Sequence, residues 1–318
     1  MKIHNPFGRL TKSEGEAKLQ LWSKSFERPF NENVYHYTNA AALGAILSSR
    51  TMYCTDYRQL NDTTELCTGF EVVEALIAAR GEEVGISIDD MDNALDHLAL
   101  LRHAPLHMSM FTASFSFHGN DLTQWRAYAP SQGVSIGFRL ASLERLAVEQ
   151  NFVCGPVRYL GAPNFNEWLG AQLDGMKNGL VKSTINEKAV REQASNDPAE
   201  FVDLIIQAQR SGNLERSVAE IAGLLKNPDF RSEAEWRCVF VHRQNTHQPQ
   251  KPVSFRSAGL KVVRFVELDL SQADLNELIA EVIVGPGSSG EETFATVSDL
   301  LRSAGVNAAT ILPQHAVR

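Results

Sequence analysis

The stretch Tyr35-His36-Tyr37-Thr38-Asn39, running on through AAALGAILSSR (40–50) to Thr51-Met52-Tyr53, decides how this chain is read. VYHYT (34–38) carries the β-branched and aromatic residues of a strand. Apolar residues then recur at Ala42, Leu43, Ile46 and Leu47, a helical spacing over 39–50 for which Thr38 or Asn39 supplies an N-cap. TMYCTDYRQLNDTTEL (51–66) returns to a short strand and a polar loop. A strand, a helix and a second strand therefore open the folded part.

Beyond that unit the periodicity predicts helices at about 66–80 and 88–104. A β-rich middle follows, with HMSMFTASFS (107–116) and GVSIGFRL (133–140) as strands and DLTQWRAYAPSQ (121–132) as a short helix between them. A helix near 141–149 and a strand at FVCGPVRYLG (152–161) come next. From 163 to 228 the texture has period 3.6 and few strand formers, which predicts an inserted helical block. Leu204, Ile205, Val218, Ile221, Leu224 and Leu225 would form its buried face, and Asn227-Pro228 would end it. Strands resume at 236–243, 259–270, 281–285 and 308–313, with a helix at about 291–304. The chain thus divides into a polar lead-in (1–33, with one amphipathic stretch around Leu19 to Phe26), an α/β domain (34–162 with 229–318) and the helical insertion (163–228).

The 318 residues suit two domains, or one domain with an insertion, and 43% hydrophobic content with a net charge of −8 is that of a globular chain. The negative charge argues against a general basic surface for nucleic acid, although not against a local basic groove. Cys54, Cys67, Cys154 and Cys238 form no CxxC pair, which fits reduced thiols rather than a disulfide framework or a zinc site. No apolar run has signal-peptide or membrane-span length, so a cytoplasmic protein that makes no use of a membrane is expected.

Three groups of residues could carry chemistry. His36, at a strand end, can offer one ring nitrogen to a ligand while backbone fixes the other, or it is a half-buried histidine of the sheet. Ser114 and Ser116 alternate onto one strand face, and Trp125 and Tyr128 share a helix face where they could sandwich a flat heterocycle or simply pack; Arg126 between them could reach a phosphate. Glu233 and Glu235 precede the strand WRCVFVH and project together if the segment is extended, although a carboxylate beside arginine is commonly a solvated ion pair. Gly285-Pro286-Gly287-Ser288-Ser289-Gly290 satisfies GxGxxG, but no acidic residue follows Asp299, so it reads as a strand-to-helix turn. His97, His103 and His107 lack partners for a metal, and none is expected.

Taken in order, His36-x-Thr38 on a strand, Ser114-x-Ser116 followed by Tyr128, and an acidic residue before a late strand resemble the histidine, tyrosine and glutamate plan of the ADP-ribosyltransferase superfamily. The resemblance is clearest at YHYTNAAALGAILSSRTMY, which is similar to the His-Gly-Thr strand and helix of that superfamily; Tyr37 stands where its motif prefers glycine. HYT, Leu60-Asn61-Asp62, WRAYAPSQGVSIGF, EAEWR and EVIVGP together resemble a bacterial family known only as a domain of unknown function (2971).

The resemblance implies a split, mostly antiparallel β-sheet and NAD as substrate, without metal. It further implies transfer of ADP-ribose to an acceptor or hydrolysis of NAD, an activity that in related bacterial families serves toxins and anti-phage effectors. Under it Glu235 would steady the positive charge that develops on the ribose, and Glu233 would serve the acceptor. His36 and Thr38 would hold the adenosine ribose or phosphate, Ser116 would brace the ribose or the glutamate, Tyr128 would stack on nicotinamide and Arg126 would touch phosphate. The alternatives are an NAD-dependent phosphotransferase for RNA ends, marked by arginines around His36, and a catalytically silent nucleotide sensor. The acceptor, whether protein, nucleic acid or water, and the oligomeric state are not legible.

Overall fold

A computed structural model describes residues 13, 32–60, 65–80, 108–129, 133–159, 170–171, 221–243, 250–286, 290–307 and 309–313. The opening unit forms as its pattern predicts: β1 (Asn33–Asn39), α1 (Ala40–Ser49) and β2 (Thr51–Asp56). Asn39 starts α1 by accepting the Ala42 N–H at 2.9 Å, which satisfies one of the donors a helix start leaves unpaired. Arg50 stops it in the left-handed region at φ 55°, its N–H turned back to the Ile46 carbonyl.

The chain continues through α2 (Glu65–Arg80), β3 (Met108–Ser116), α3 (Leu122–Tyr128), β4 (Gly133–Arg139), α4 (Leu140–Glu149), β5 (Val153–Pro156) and β6 (Arg158–Tyr159). After the segment of the predicted insertion come β7 (Leu225–Lys226), β8 (Glu235–Arg243), β9 (Ser254–Ala258), β10 (Lys261–Asp269), α5 (Leu275–Leu278), β11 (Ile279–Val284), α6 (Gly290–Ser303) and β12 (Thr310–Pro313). Ten of these strands make one open sheet along the path β12-β11-β4-β1-β3-β2-β10-β9, with β8 also on β3 and β5 on β8. Within it only β11 and β12 run parallel, joined by the crossover helix α6. The architecture is mixed α/β on a mostly antiparallel sheet.

What positions the site is a fork at β3. β8 occupies one whole edge of β3, from Met108 opposite Arg243 to Ser116 opposite Glu235. On the other edge Tyr35 of β1 pairs with Ser116, while Thr55 and Asp56 of β2 pair with Thr112 and Phe111. β1 and β2 therefore share that edge in tandem, and among the described residues no strand pairs with 113–115 between them.

One face of the sheet is the main core. Leu43 and Leu47 of α1, Leu143 and Leu146 of α4, and Val297 and Leu301 of α6 bury against Phe111, Phe115, Ile136, Phe138 and Trp236. At about 25 cal/mol per Å² of apolar surface removed from water, this burial is the main favourable term in folding. On the other face α3 lays Trp125 against Tyr37, with ring centroids 4.8 Å apart and planes at 76°, in a small cluster with Ala129 and Ile283.

Several expectations change. The single strand read at 152–161 is two: β5 pairs with β8 as far as Pro156, and the chain then leaves to pair β6 in parallel with β7. Ile221, Leu224 and Leu225 are buried as expected, but Leu225 lies in a strand, and the helical run there ends at Gly223, before Asn227-Pro228. β9 and the short α5 have no counterpart in the periodicity. The helix at 88–104, His97, His103 and His107, Leu204, Ile205 and Val218, most of the insertion, most of the lead-in and the turn residues 287–289 lie outside the described residues. Cys54, Cys154 and Cys238 are thiols, the last two facing each other across β5 and β8 with sulfurs 3.2 Å apart. Among the described residues no helix is long and apolar enough to cross a membrane.

Candidate functional site

The fork leaves the Ser114 carbonyl without a strand partner on its open edge, and His36 supplies one, with Nδ1 3.1 Å from that oxygen. A carbonyl only accepts, so this contact assigns the proton to Nδ1 and leaves Nε2 as a lone-pair acceptor. Burial lowers the pKa of His36 below 6.5, with the Ser114 bond acting the other way, so the ring is neutral at pH 7. The ring stacks obliquely on Phe115 at 5.7 Å.

His36 lines a cleft of about 440 Å³, within the range of small-molecule sites. Period-2 alternation and the strand registers put Ser116, Ser114 and Thr112 of β3, Glu235 and Arg237 of β8, and Tyr53 and Thr55 of β2 on its sheet face. That face is the one opposite the main core.

At one end sits a compact ion cluster. Glu235 is only 4% exposed, and Arg237, two residues on and therefore on the same face, grips it bidentately with Nε to Oε1 at 2.6 Å and Nη2 to Oε2 at 2.9 Å. Lys226, which β7 delivers, places Nζ 3.0 Å from Glu235 Oε2 and 2.7 Å from Glu233 Oε2. Burial raises the pKa of Glu235, but Arg237 and Lys226, with Arg237 and Ser114 hydrogen bonds, outweigh it and hold the value at about 2. The backbone N–H of Glu235 donates to the Tyr159 hydroxyl at 3.0 Å.

Glu233 reaches the cluster by a different backbone from the extended one expected. It ends a tight helical turn over Pro228–Glu233 that Asn227 caps, and Ala234 then takes φ 43° and ψ 55°, so 233–235 is not extended. Ser116 fixes the turn, its hydroxyl donating to the Glu233 carbonyl at 2.8 Å and accepting the His118 N–H at 3.0 Å. The Tyr128 hydroxyl donates to Glu233 Oε1 at 3.3 Å. Burial, and then the charge of Glu233, push the Tyr128 phenol up to about 12.

His36, Ser116, Tyr128, Glu233 and Glu235 thus line one cleft although they span 200 positions, from 36 to 235. Thr38 and Arg126 do not line it: Thr38 pairs with Val134, and Arg126 lies on the exposed side of α3. Trp125 and Tyr128 form no sandwich, because Trp125 is buried against Tyr37 while Tyr128 is 41% exposed. The glutamate beside arginine is an ion pair, but a buried one. Tyr37 does not crowd the cleft as a free ring, since its hydroxyl donates to the His118 carbonyl at 2.6 Å and accepts the Asp121 N–H at 2.9 Å.

Lys226, Gln124 and Arg256 also line the cleft and carried no role in the sequence reading. The only signal for Lys226 was a lysine just ahead of Asn227-Pro228. With Lys226, Arg237 and Arg256 against Glu233 and Glu235, cations outnumber carboxylates by one among the described residues of the lining. Such a site suits an anionic ligand that also presents hydroxyls.

Residues 124–238 match the model of a family described as a protein of unknown function (DUF2971). That segment takes in Tyr128, Lys226, Glu233, Glu235 and Arg237, and stops short of His36 and Ser116. No curated protein and no solved structure matches the chain.

Proposed function

We propose that this chain cleaves NAD in the cleft between β1 and β2, passing ADP-ribose to an acceptor or to water. One observation carries the reading: the fork in the sheet sets a neutral histidine, fixed in one tautomer, in the same cleft as a carboxylate pair at the start of β8. Breaking the bond between ribose and nicotinamide takes the bonding electrons to the pyridinium ring, which leaves as neutral nicotinamide. The ribose then carries positive charge until a nucleophile attacks. A fixed carboxylate stabilises that state more than the ground state.

The hydrogen-bond inventory favours Glu233 over Glu235 for this work. A carboxylate has about four lone-pair sites, and Arg237 twice, Lys226 and Ser114 engage those of Glu235. Glu233 accepts one bond each from Lys226 and Tyr128, and its side chain is the more exposed, 16% against 5%. In this reading Glu235 is a positioning residue that holds Lys226 and Arg237 in place, and His36 Nε2 accepts a ribose hydroxyl. The test is nicotinamide release from NAD by the purified chain, which Glu233→Gln should reduce by about 10²- to 10³-fold, the scale of losing one electrostatic stabiliser.

The excess of cations and the saturated Glu235 favour a second reading, a nucleotide-binding module without catalysis or a phosphotransferase for RNA ends. For the binding module NAD or ADP-ribose binds and no nicotinamide is released; the phosphotransferase, which consumes NAD, releases nicotinamide only when a phosphorylated RNA end is supplied to take the place of the leaving group.

A further inference from the structure

The opposite end of the cleft holds a cation that has no counter-charge among the described residues. Arg256 stands on β9, three strands from β3 along β3-β2-β10-β9, and the registers Arg256–Val263, Phe265–Thr55 and Thr55–Thr112 put it on the cleft face. Its guanidinium carbon lies 6.0 Å from the centre of the Tyr53 ring. No described carboxylate comes within ion-pair distance of it, and its Nε is buried without a hydrogen-bond partner. The neighbouring arginines differ, since Arg58 and Arg264 both pair with Asp56, at 2.6 and 3.0 Å. Thr112, on the cleft floor and 7% exposed, has a buried hydroxyl that is also without a partner. Buried polar atoms are normally paired, so two orphans in one cleft mark donors awaiting a ligand oxygen. Tyr53 beside them keeps 46% of its surface in solvent.

The geometry points to a phosphate subsite formed by Arg256 and Thr112, with the exposed Tyr53 ring beside it stacking the base of the same nucleotide. An arginine fork matches phosphate oxygens in pairs, and an exposed aromatic ring accepts the face of a base. The subsite rests on the reading above only in placing a nucleotide in this cleft; it requires no bond cleavage. The phosphate belongs either to the dinucleotide itself or to a phosphorylated acceptor.

Calorimetric titration of the full chain with AMP, adenosine and inorganic pyrophosphate tests it. Wild type should bind AMP roughly 10- to 100-fold more tightly than adenosine, the range of a charge-assisted hydrogen bond. Arg256→Gln should remove that difference and leave adenosine binding unchanged, and pyrophosphate should compete with AMP in wild type alone. Arg256→Lys, with the charge but no fork, should fall between, and thermal melts should show all variants folded, since Arg256 lies on an edge strand. Equal affinity for AMP and adenosine, no binding of either, or an AMP preference that survives Arg256→Gln would overturn the subsite. If Arg256→Gln also raises KM for NAD, the phosphate is the dinucleotide's; if KM holds while transfer to a phosphorylated acceptor drops, it is the acceptor's. An AMP preference lost with Arg256 but no nicotinamide release would end the cleavage reading and leave the subsite standing. Nicotinamide release without an AMP preference would do the reverse.

Discussion

One nitrogen of His36 closes a gap in the sheet and the other is open to a ligand, so substitution can separate the two. An asparagine side chain carries an N–H at about the position of Nδ1 and nothing at Nε2. His36→Asn should therefore keep the bond to the Ser114 carbonyl and most of the stability while losing ligand affinity. His36→Ala should lose both, with about 1–3 kcal/mol of destabilisation from the orphaned carbonyl, measurable by urea denaturation. Equal stability of the two variants would contradict the bond's role. The carboxylates separate in the same manner. Glu235→Gln strips a buried partner from Arg237 and Lys226 and should destabilise the fold by roughly 3–5 kcal/mol. Glu233→Gln leaves Lys226 its bond to Glu235 and keeps an amide oxygen to accept from it, so it should cost less than Glu235→Gln, about 1–2 kcal/mol, and tests chemistry without unfolding the protein.

α3 is held at both ends, and this decides which of its aromatic residues meets the cleft. Asp121 caps it through the Thr123 and Gln124 N–H groups at 2.7 and 3.0 Å, and Asp121→Ala should cost about 0.5–2 kcal/mol and loosen Tyr128. Gly285 gives room to Trp125, whose ring would lie 2.6 Å from an added Cβ; Gly285→Ala should destabilise by about 1–3 kcal/mol in thermal melts, from the displaced ring. Residues three apart on a helix differ by about 60° in direction, so the shared face of Trp125 and Tyr128 spans both core and rim. The spacing was legible and the division was not. β1, α1, β2, β3, β4 and β8 were readable because their alternation or 3.6 period is set by a buried face. β9 was not, since SFRSA at a sheet edge exposes Phe255, Ser257 and Ala258 and so carries no apolar alternation. β7 is two residues long, too short for any period, yet it delivers Lys226. The fork itself is a matter of register between strands far apart in the chain, which local pattern does not encode. Ala234 shows the same limit, because its positive φ, with no glycine to announce it, bends a segment that reads as extended.

The titrating groups of the cleft act on the stability of the whole chain in the same sense at low pH. Glu235 sits at about 2 when folded against 4.5 unfolded, so its contribution, on the order of 3 kcal/mol, is full above pH 4.5 and disappears as pH falls toward 2. His36, lowered when folded, adds a loss that begins as pH drops through 6.5. The Tyr35 and Tyr128 phenols, raised to about 12 from 10, oppose them at the alkaline end, where stability falls as pH rises from 10 to 12. Urea midpoints should accordingly be flat between about pH 6.5 and 9, above which the buried Cys54 and Cys238 thiols, held above their ordinary 9, add to the loss, and should fall on both sides; a midpoint that rises as pH drops from 6.5 to 4.5 would contradict the buried neutral histidine, and one that stays level from 4.5 to 2 would contradict the buried ion cluster. We propose, on the fork, the neutral histidine and the glutamate pair, that this cleft breaks the bond between nicotinamide and ribose. Nicotinamide released from NAD, measured for wild type and for folded Glu233→Gln, tests it most directly. The account predicts release by wild type and a loss of about 10²-fold or more in the variant; no release by wild type, or equal release by both, would contradict it.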